Sequence, residues 1–197
     1  PPRMRRLVVF YRLWRAGGVA VAQGALVVLA SSVFWASHAL AQGVDLMQAQ
    51  LARGDDGLTL DYATKITLSP AVEDALHRGV AVYFQAQAAV LRSRWYWRDE
   101  RVARPSRQWR LSFQPLTATW RLSTGGLSQS FPSLADAMVP ISRGTGWRLV
   151  EADKLEAGER YYVEFRLQLD STQLPRPMQL DLGQDWKLGV ERTLRLE

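Results

Sequence analysis

The sequence predicts a mainly β protein, an antiparallel β-sandwich of the immunoglobulin-like type with two short helices. First, apolar and polar residues alternate along seven or more short segments, as in strands that have one buried face. Second, glycine, proline, aspartate and serine separate these segments at regular spacing. Third, the chain has no cysteine, so a hydrophobic core and not disulfide bonds must hold the fold together.

A hairpin and a short helix are predicted at the start of the domain. Residues 44–52 and 58–68 alternate as two strands, and a turn rich in glycine and aspartate joins them at residues 54–57. Residues 69–79 begin with a serine N-cap followed by proline and end at a glycine, a pattern typical of a short helix.

One long strand over residues 79–101 is predicted to organise the sheet. Its first half alternates between apolar residues on one side and tyrosine or glutamine on the other. The same period continues through Trp95 and Trp97, with arginine and tyrosine between them. We therefore expect a core strand with an aromatic, arginine-rich end, in which Trp95 and Trp97 are buried.

Further strands and a second short helix are predicted in the rest of the chain. A three-stranded meander is expected over residues 108–131. Ser133 and Asp136 have capping-box spacing and predict a helix that Pro140 limits. The remaining strands are expected at residues 147–150, 160–169 and 186–196.

The formal net charge of +6 does not indicate nucleic-acid binding. Five of the 25 basic residues lie before residue 16, and no acidic residue precedes Asp45. Residues 42–197 consequently carry 20 basic and 19 acidic side chains. Such an even balance lacks the basic excess that binds a phosphate backbone, so we expect no nucleic-acid partner.

Residues 1–41 have the three parts of a secretory signal peptide. A basic segment precedes an apolar stretch, and Ala39 and Ala41 form the small-x-small cleavage pattern. Cleavage would leave a single β-sandwich domain, residues 42–197, outside the cytoplasm. The alternative is an uncleaved anchor, because residues 19–40 are long enough to span a bilayer of about 30 Å. Membrane contact is expected only in that case.

Catalytic and metal-binding patterns are scarce in the sequence. His38 lies in the predicted leader, which leaves His77 in the last turn of the first predicted helix, where the helix dipole favours its charged form. One histidine and no cysteine predict no metal site, and no cofactor is expected. Asp99 and Glu100, as neighbours on a strand, point to opposite sides and are expected to be solvated. We therefore predict no catalytic residue.

The segment from Arg92 to Arg110 departs most from average composition, with seven arginines beside four aromatic residues. Arginine and tyrosine are common at interface hot spots, and guanidinium groups pair with anionic or aromatic partners. The predicted contact residues of this surface are Arg94, Tyr96, Arg98, Arg101 and Arg104. The alternative is a solvated edge whose arginines discourage strand-to-strand aggregation.

Four ordered blocks carry a resemblance to a known family. They are LSPAVEDALHRGVAVYF, RWYWRDERV, RLSTGGLSQSF and LDSTQLPRPMQL. Together they are similar to an exported proteobacterial family of unknown function, DUF4390. The resemblance implies an exported protein without assigned activity and supplies no functional residues. It also associates the chain with genes beside a sensor kinase and a response regulator, which implies an accessory role in envelope signalling.

These observations predict an exported, periplasmic, non-catalytic binding or interaction module of unknown ligand, with an envelope protein as its partner. The alternative is an extracytoplasmic hydrolase that uses carboxylates or His77. The scarcity of residues suited to acid and base catalysis favours the binding module.

Overall fold

Ten β-strands and two α-helices make up the part of the chain that this computed structural model describes, namely residues 43–96, 98–174 and 183–196. The strands are β1 (Gly43–Gly54), β2 (Gly57–Thr67), β3 (Val82–Arg92), β4 (Glu100–Ala103), β5 (Ser106–Gln114), β6 (Thr119–Thr124), β7 (Leu127–Phe131), β8 (Arg143–Val150), β9 (Tyr161–Leu169) and β10 (Gly189–Arg195). The helices are α1 (Pro70–His77) and α2 (Leu134–Ser142). Short 3₁₀ turns lie at Ala152–Lys154, Ser171–Gln173 and Gln184–Trp186. The prediction of a mainly β chain with two short helices is confirmed, whereas the predicted leader, with Ala39 and Ala41, lies outside the described residues.

The strands form two sheets, and every pairing in them is antiparallel. The smaller sheet has the order β1-β2-β8. The larger sheet has the order β10-β9-β3-β5-β6-β7, with β4 also paired to β3. β4 and β5 lie along the same edge of β3, and between them the Ala88 amide donates to the carbonyl oxygen of Pro105 at 3.1 Å.

The predicted hairpin at residues 54–57 is confirmed. Gly54 pairs with Gly57, which leaves a two-residue turn between β1 and β2. The backbone of Gly57 has a φ of +120°, and a Cβ atom there would run into the carbonyl oxygen of Val150. Only glycine therefore fits this turn.

Both helices begin at the predicted serine caps. The hydroxyl of Ser69 accepts a hydrogen bond from the Val72 amide, and that of Ser133 accepts one from the Asp136 amide. Pro140 does not end α2, which continues for two more residues to Ser142. Within the described ranges, neither helix has the length and apolar character needed to cross a membrane.

The hydrophobic core lies between the two sheets. The alternating side chains of β9 from Tyr161 to Leu169 are buried on the inner face, as predicted, and so are those of β3 from Val82 to Val90. Tyr62 of the small sheet packs against Phe165 of the large one, with ring centroids 4.9 Å apart. These contacts bury apolar surface from both sheets in a single cluster.

The prediction of one long strand over residues 79–101 is wrong in its second half. β3 ends at Arg92, and the chain turns and returns as β4, so that Arg92 pairs with Glu100. The aromatic, arginine-rich segment is therefore the connection of a hairpin and not the far end of a strand. On the other edge β3 pairs along its length with β9, from Phe84 to Arg92.

Candidate functional site

The connection between β3 and β4, residues 93–99, projects from one end of the large sheet, and we call it the tip loop. Trp97, in its middle, lies outside the described residues. The loop starts at Ser93, whose amide donates a hydrogen bond of 2.9 Å to the carbonyl oxygen of Arg160 just before β9. A backbone bond to the neighbouring strand thus fixes the first residue of the loop.

Two aromatic side chains are exposed on the tip loop. Trp95 has 93% of its surface exposed and Tyr96 has 68%. Their rings contact each other edge to face, with centroids 5.0 Å apart. The expectation that Trp95 is a buried floor under the arginines is wrong, because the chain has left the sheet before residue 95 and strand alternation no longer sets the direction of its side chains. The matching expectation for Trp97 falls on a residue outside the described ranges.

Asp99 fixes the other end of the tip loop. Its Oδ1 accepts a hydrogen bond of 3.1 Å from the Arg94 amide, and its Oδ2 accepts one of 2.6 Å from the hydroxyl of Tyr162 on β9. The Tyr162 hydroxyl and the Arg94 amide, in that order, lower the pKa of Asp99, because both stabilise its carboxylate form. The same bond, with Asp99 as acceptor, raises the pKa of Tyr162 to about 12.

A network of ion pairs lies beneath the tip loop. Arg92, at the end of β3, pairs with Glu100 and Glu156, and Arg94 pairs with the same oxygen of Glu100. Only 13% of the Arg92 side chain is exposed. Its hydrogen bond to Glu100 is the main cause that lowers the pKa of that carboxyl group. The carboxylates of Asp99, in the tip loop, and of Glu100, at the start of β4, thus both hold the loop in place.

The five predicted contact residues have different environments. Arg94 is held by Glu100, whereas Arg98 and Arg101 are exposed and form no ion pair within the described part of the chain. Tyr96 belongs to the exposed aromatic pair. Arg104 lies after β4, where its Nη2 donates a hydrogen bond of 2.6 Å to Oε1 of Gln87 on β3. The structure therefore places four of the five at or beside the tip loop, and Arg104 farther along the sheet.

A depression of about 910 Å³ lies next to the tip loop, and it was not predicted from the sequence. Ser93 lines it together with Arg53, Arg160 and Arg195, and Glu159 is the acidic residue in its lining. All three arginines are exposed, and none forms an ion pair among the residues that the structure describes. We call this feature the basic depression. Its arginines lie at the ends of β1, β9 and β10, so only the order of the strands brings them together.

His77 lies where the sequence places it, in the last turn of α1. Its ring contacts Phe113 and Trp120 edge to face, with centroids 5.2 and 5.4 Å away. Within residues 43–96, 98–174 and 183–196, no hydrogen bond or ion pair of its imidazole is found, and no group of three or more side chains suited to a metal ion occurs. The imidazole thus packs against two aromatic rings.

Residues 41–195 match a family model described as Domain of unknown function (DUF4390). No curated protein and no solved structure matches the chain. The match covers the whole described region up to the end of β10, including the tip loop and the basic depression.

Proposed function

We propose that this chain, which belongs to the DUF4390 family, is an exported, non-catalytic binding module that contacts another component of the cell envelope through its tip loop. The observation that carries this proposal is the exposed pair of Trp95 and Tyr96 on a loop whose two ends are fixed. Large aromatic side chains are normally buried, and an exposed cluster of them marks a contact surface.

The construction of the loop suits binding. Tryptophan, tyrosine and arginine are the residues that carry most of the energy at interface hot spots. Ser93 and Asp99 tie the loop to β9, so the aromatic pair loses less conformational freedom when it meets a partner. Arg98, in the loop, and Arg101, on β4, are exposed and form no ion pair among the described residues, so both can make charged contacts.

The cellular location in this proposal comes from the sequence. Residues 1–41 act as a signal peptide with Ala39 and Ala41 at the cleavage site, so that the mature chain begins at Gln42 in the periplasm. The domain is an immunoglobulin-like β-sandwich, a proposal that the packing of its two antiparallel sheets supports. An accessory role in envelope signalling is the proposed context.

Cell fractionation tests the proposal. The chain is expressed with its predicted signal peptide, and osmotic shock separates soluble periplasmic protein from envelope membranes. We expect the parent protein to stay in part with the envelope and the double variant Trp95→Ser, Tyr96→Ser to move into the soluble periplasmic fraction. Leu116→Ser is the matched control, because Leu116 is a fully exposed apolar side chain in the turn between β5 and β6, at the opposite end of the large sheet.

Two outcomes would contradict the proposal. If the parent and the double variant distribute alike between the two fractions, the tip loop is not the contact surface. If the protein is found in the cytoplasm, it is not exported. Intact-mass measurement of the exported protein shows whether the signal peptide is cleaved or kept as an anchor, and we expect the protein to start at Gln42.

A further inference from the structure

We propose that the envelope component met by the tip loop is a surface of anionic phospholipid, with the aromatic pair entering the headgroup layer and the basic depression receiving lipid phosphate groups. This inference rests on the proposed function, because it names the partner of the same site. It departs from the expectation that membrane contact requires an uncleaved anchor.

The aromatic pair has the chemistry of a membrane interface. Tryptophan and tyrosine rings combine an apolar body with a polar group, and they are enriched where lipid chains meet headgroups. Trp95 and Tyr96 are exposed side by side on a projecting loop, so both rings can enter that layer together. Their edge-to-face contact and the fixed ends of the loop let them enter as one rigid unit.

Charge complementarity favours a surface that carries phosphate groups. The basic depression offers Arg53, Arg160 and Arg195, and Ser93 is shared by the depression and the tip loop. Guanidinium groups bind phosphate through paired hydrogen bonds. Arg53 already donates one hydrogen bond to a backbone carbonyl oxygen, which holds its side chain in place.

The acidic residues near the tip loop do not cancel this attraction. Glu100 is held by Arg92 and Arg94, and Asp99 is hydrogen-bonded to Tyr162 on β9. Both carboxylates therefore already bind groups within the protein. In the lining of the basic depression, one acidic side chain, Glu159, faces three arginines, so the depression keeps an excess of positive charge.

A lipid surface explains this end of the molecule better than a protein partner does. The core of a protein interface is usually a patch of several buried apolar side chains. At this end of the sheet, the large apolar side chains exposed in the described ranges are Trp95 and Tyr96 alone, and Arg94 and Arg98 lie close to them in the chain. Proteins that lie on a membrane surface instead combine a few aromatic residues with several basic ones.

Vesicle binding tests this inference with residues 42–197, because residues 41–197 form one compact unit with its own hydrophobic core. Flotation is compared for vesicles of phosphatidylcholine alone and for vesicles that also contain phosphatidylglycerol. We expect binding to the anionic vesicles only, and weaker binding as salt rises. Trp95→Ser with Tyr96→Ser, and separately Arg160→Ser with Arg195→Ser, should each weaken binding by about tenfold or more.

Leu116→Ser is the control and should bind anionic vesicles like the parent. Inorganic phosphate is a second probe, since binding of free phosphate without binding of vesicles would show an ion site and overturn the lipid proposal. Each variant is compared with the parent by circular dichroism and melting temperature, so that loss of binding in a folded protein can be recognised.

The two proposals fail in different ways. If neither kind of vesicle binds, yet the variant at Trp95 and Tyr96 is released from the envelope in cells, then the partner is a protein and only the lipid proposal is overturned. If anionic vesicles bind the parent and both double variants equally, the site is elsewhere and the lipid proposal fails. If the envelope never retains the protein in cells, the proposed function fails as well.

Discussion

The hydroxyl of Tyr162 donates a 2.6 Å hydrogen bond to Asp99, and through it strand β9 holds the end of the tip loop. The two residues are 63 positions apart in the sequence. β9 lies beside β3, so the residue that anchors the loop comes from the strand next to it in the sheet. The geometry of the candidate site therefore depends on the pairing of β3 with β9.

Asp99→Asn tests this bond through the titration of Tyr162. The pKa of Tyr162 is raised to about 12, mainly because its hydroxyl bonds to the carboxylate. An amide in that place is a neutral acceptor, so we expect the pKa of Tyr162 to move towards the usual value of about 10. Ultraviolet absorption of tyrosinate during a pH titration measures it. Asp45→Asn is the control. Asp45 lies near the start of β1, so its substitution should leave the titration of Tyr162 unchanged.

The same bond predicts how stability depends on pH. Because the pKa of Asp99 is lowered in the folded protein, its stabilising effect is present above the unfolded value of about 3.9 and is lost as pH falls through the lower folded value. For Tyr162, whose pKa is raised, the effect is present below about pH 10 and is lost as pH rises through about 12. Tyr162→Phe should remove the dependence at high pH and weaken the one at low pH, because the Arg94 amide still donates to Asp99 in the variant. Urea unfolding at several pH values checks this. A stability difference between Tyr162→Phe and the parent that stays constant across both pH windows would contradict the assignment.

The two helix caps should differ in their contribution to stability. Ser69 is fully buried, and besides capping α1 it donates a hydrogen bond of 2.8 Å to the carbonyl oxygen of Asp185. Ser133 caps α2 at a half-buried position, and its hydroxyl also donates a hydrogen bond to Asp136 in its own helix. We expect Ser133→Ala to lower the free energy of unfolding by about 1 kcal/mol and Ser69→Ala by about 2 to 3 kcal/mol. Denaturant unfolding of both variants measures the difference, and equal losses would mean that the bond to Asp185 contributes nothing.

These caps show which parts of the fold could be predicted from the sequence. A cap, a tight hairpin and a half-buried strand each depend on residues close together in the chain. The turn at residues 54–57, the serines before both helices and the alternation of β9 were therefore all predictable. The additional bond from Ser69 to Asp185 was not, because it joins residues 116 positions apart.

The tip loop was missed because its turn-favouring residues, Ser93 and Asp99, lie at its two ends and not within it. No glycine, proline or asparagine lies between Arg92 and Asp99, and the alternation typical of a strand continues through the segment. The turn is made instead by contacts with β9, from Ser93 to Arg160 and from Asp99 to Tyr162. The basic depression could not be predicted for a related reason, since its arginines come from three strands that become neighbours only in the folded protein.

His77→Gln tests the alternative function, an extracytoplasmic hydrolase. His77 is exposed, and its ring packs edge to face with Phe113 and Trp120. We expect the substitution to change the free energy of unfolding by less than about 0.5 kcal/mol and to leave envelope retention unchanged. Thermal unfolding and fractionation measure these two effects. Loss of a cellular phenotype at unchanged stability would favour the hydrolase.

Arg94 and Arg98 should make unequal contributions to the contact surface, although both are predicted from the sequence to be contact residues. Arg94 pairs with Glu100, so its charge is used within the loop, whereas Arg98 is exposed and forms no ion pair in the described part of the chain. Replacing either residue by serine should leave the melting temperature within a few degrees of the parent, because exposed ion pairs contribute little and Glu100 keeps its pair with Arg92. Arg98→Ser should release more protein from the envelope than Arg94→Ser, and fractionation of the two variants side by side measures this. If neither variant is released, the arginines form only a solvated edge that prevents aggregation, which is the alternative that the sequence left open.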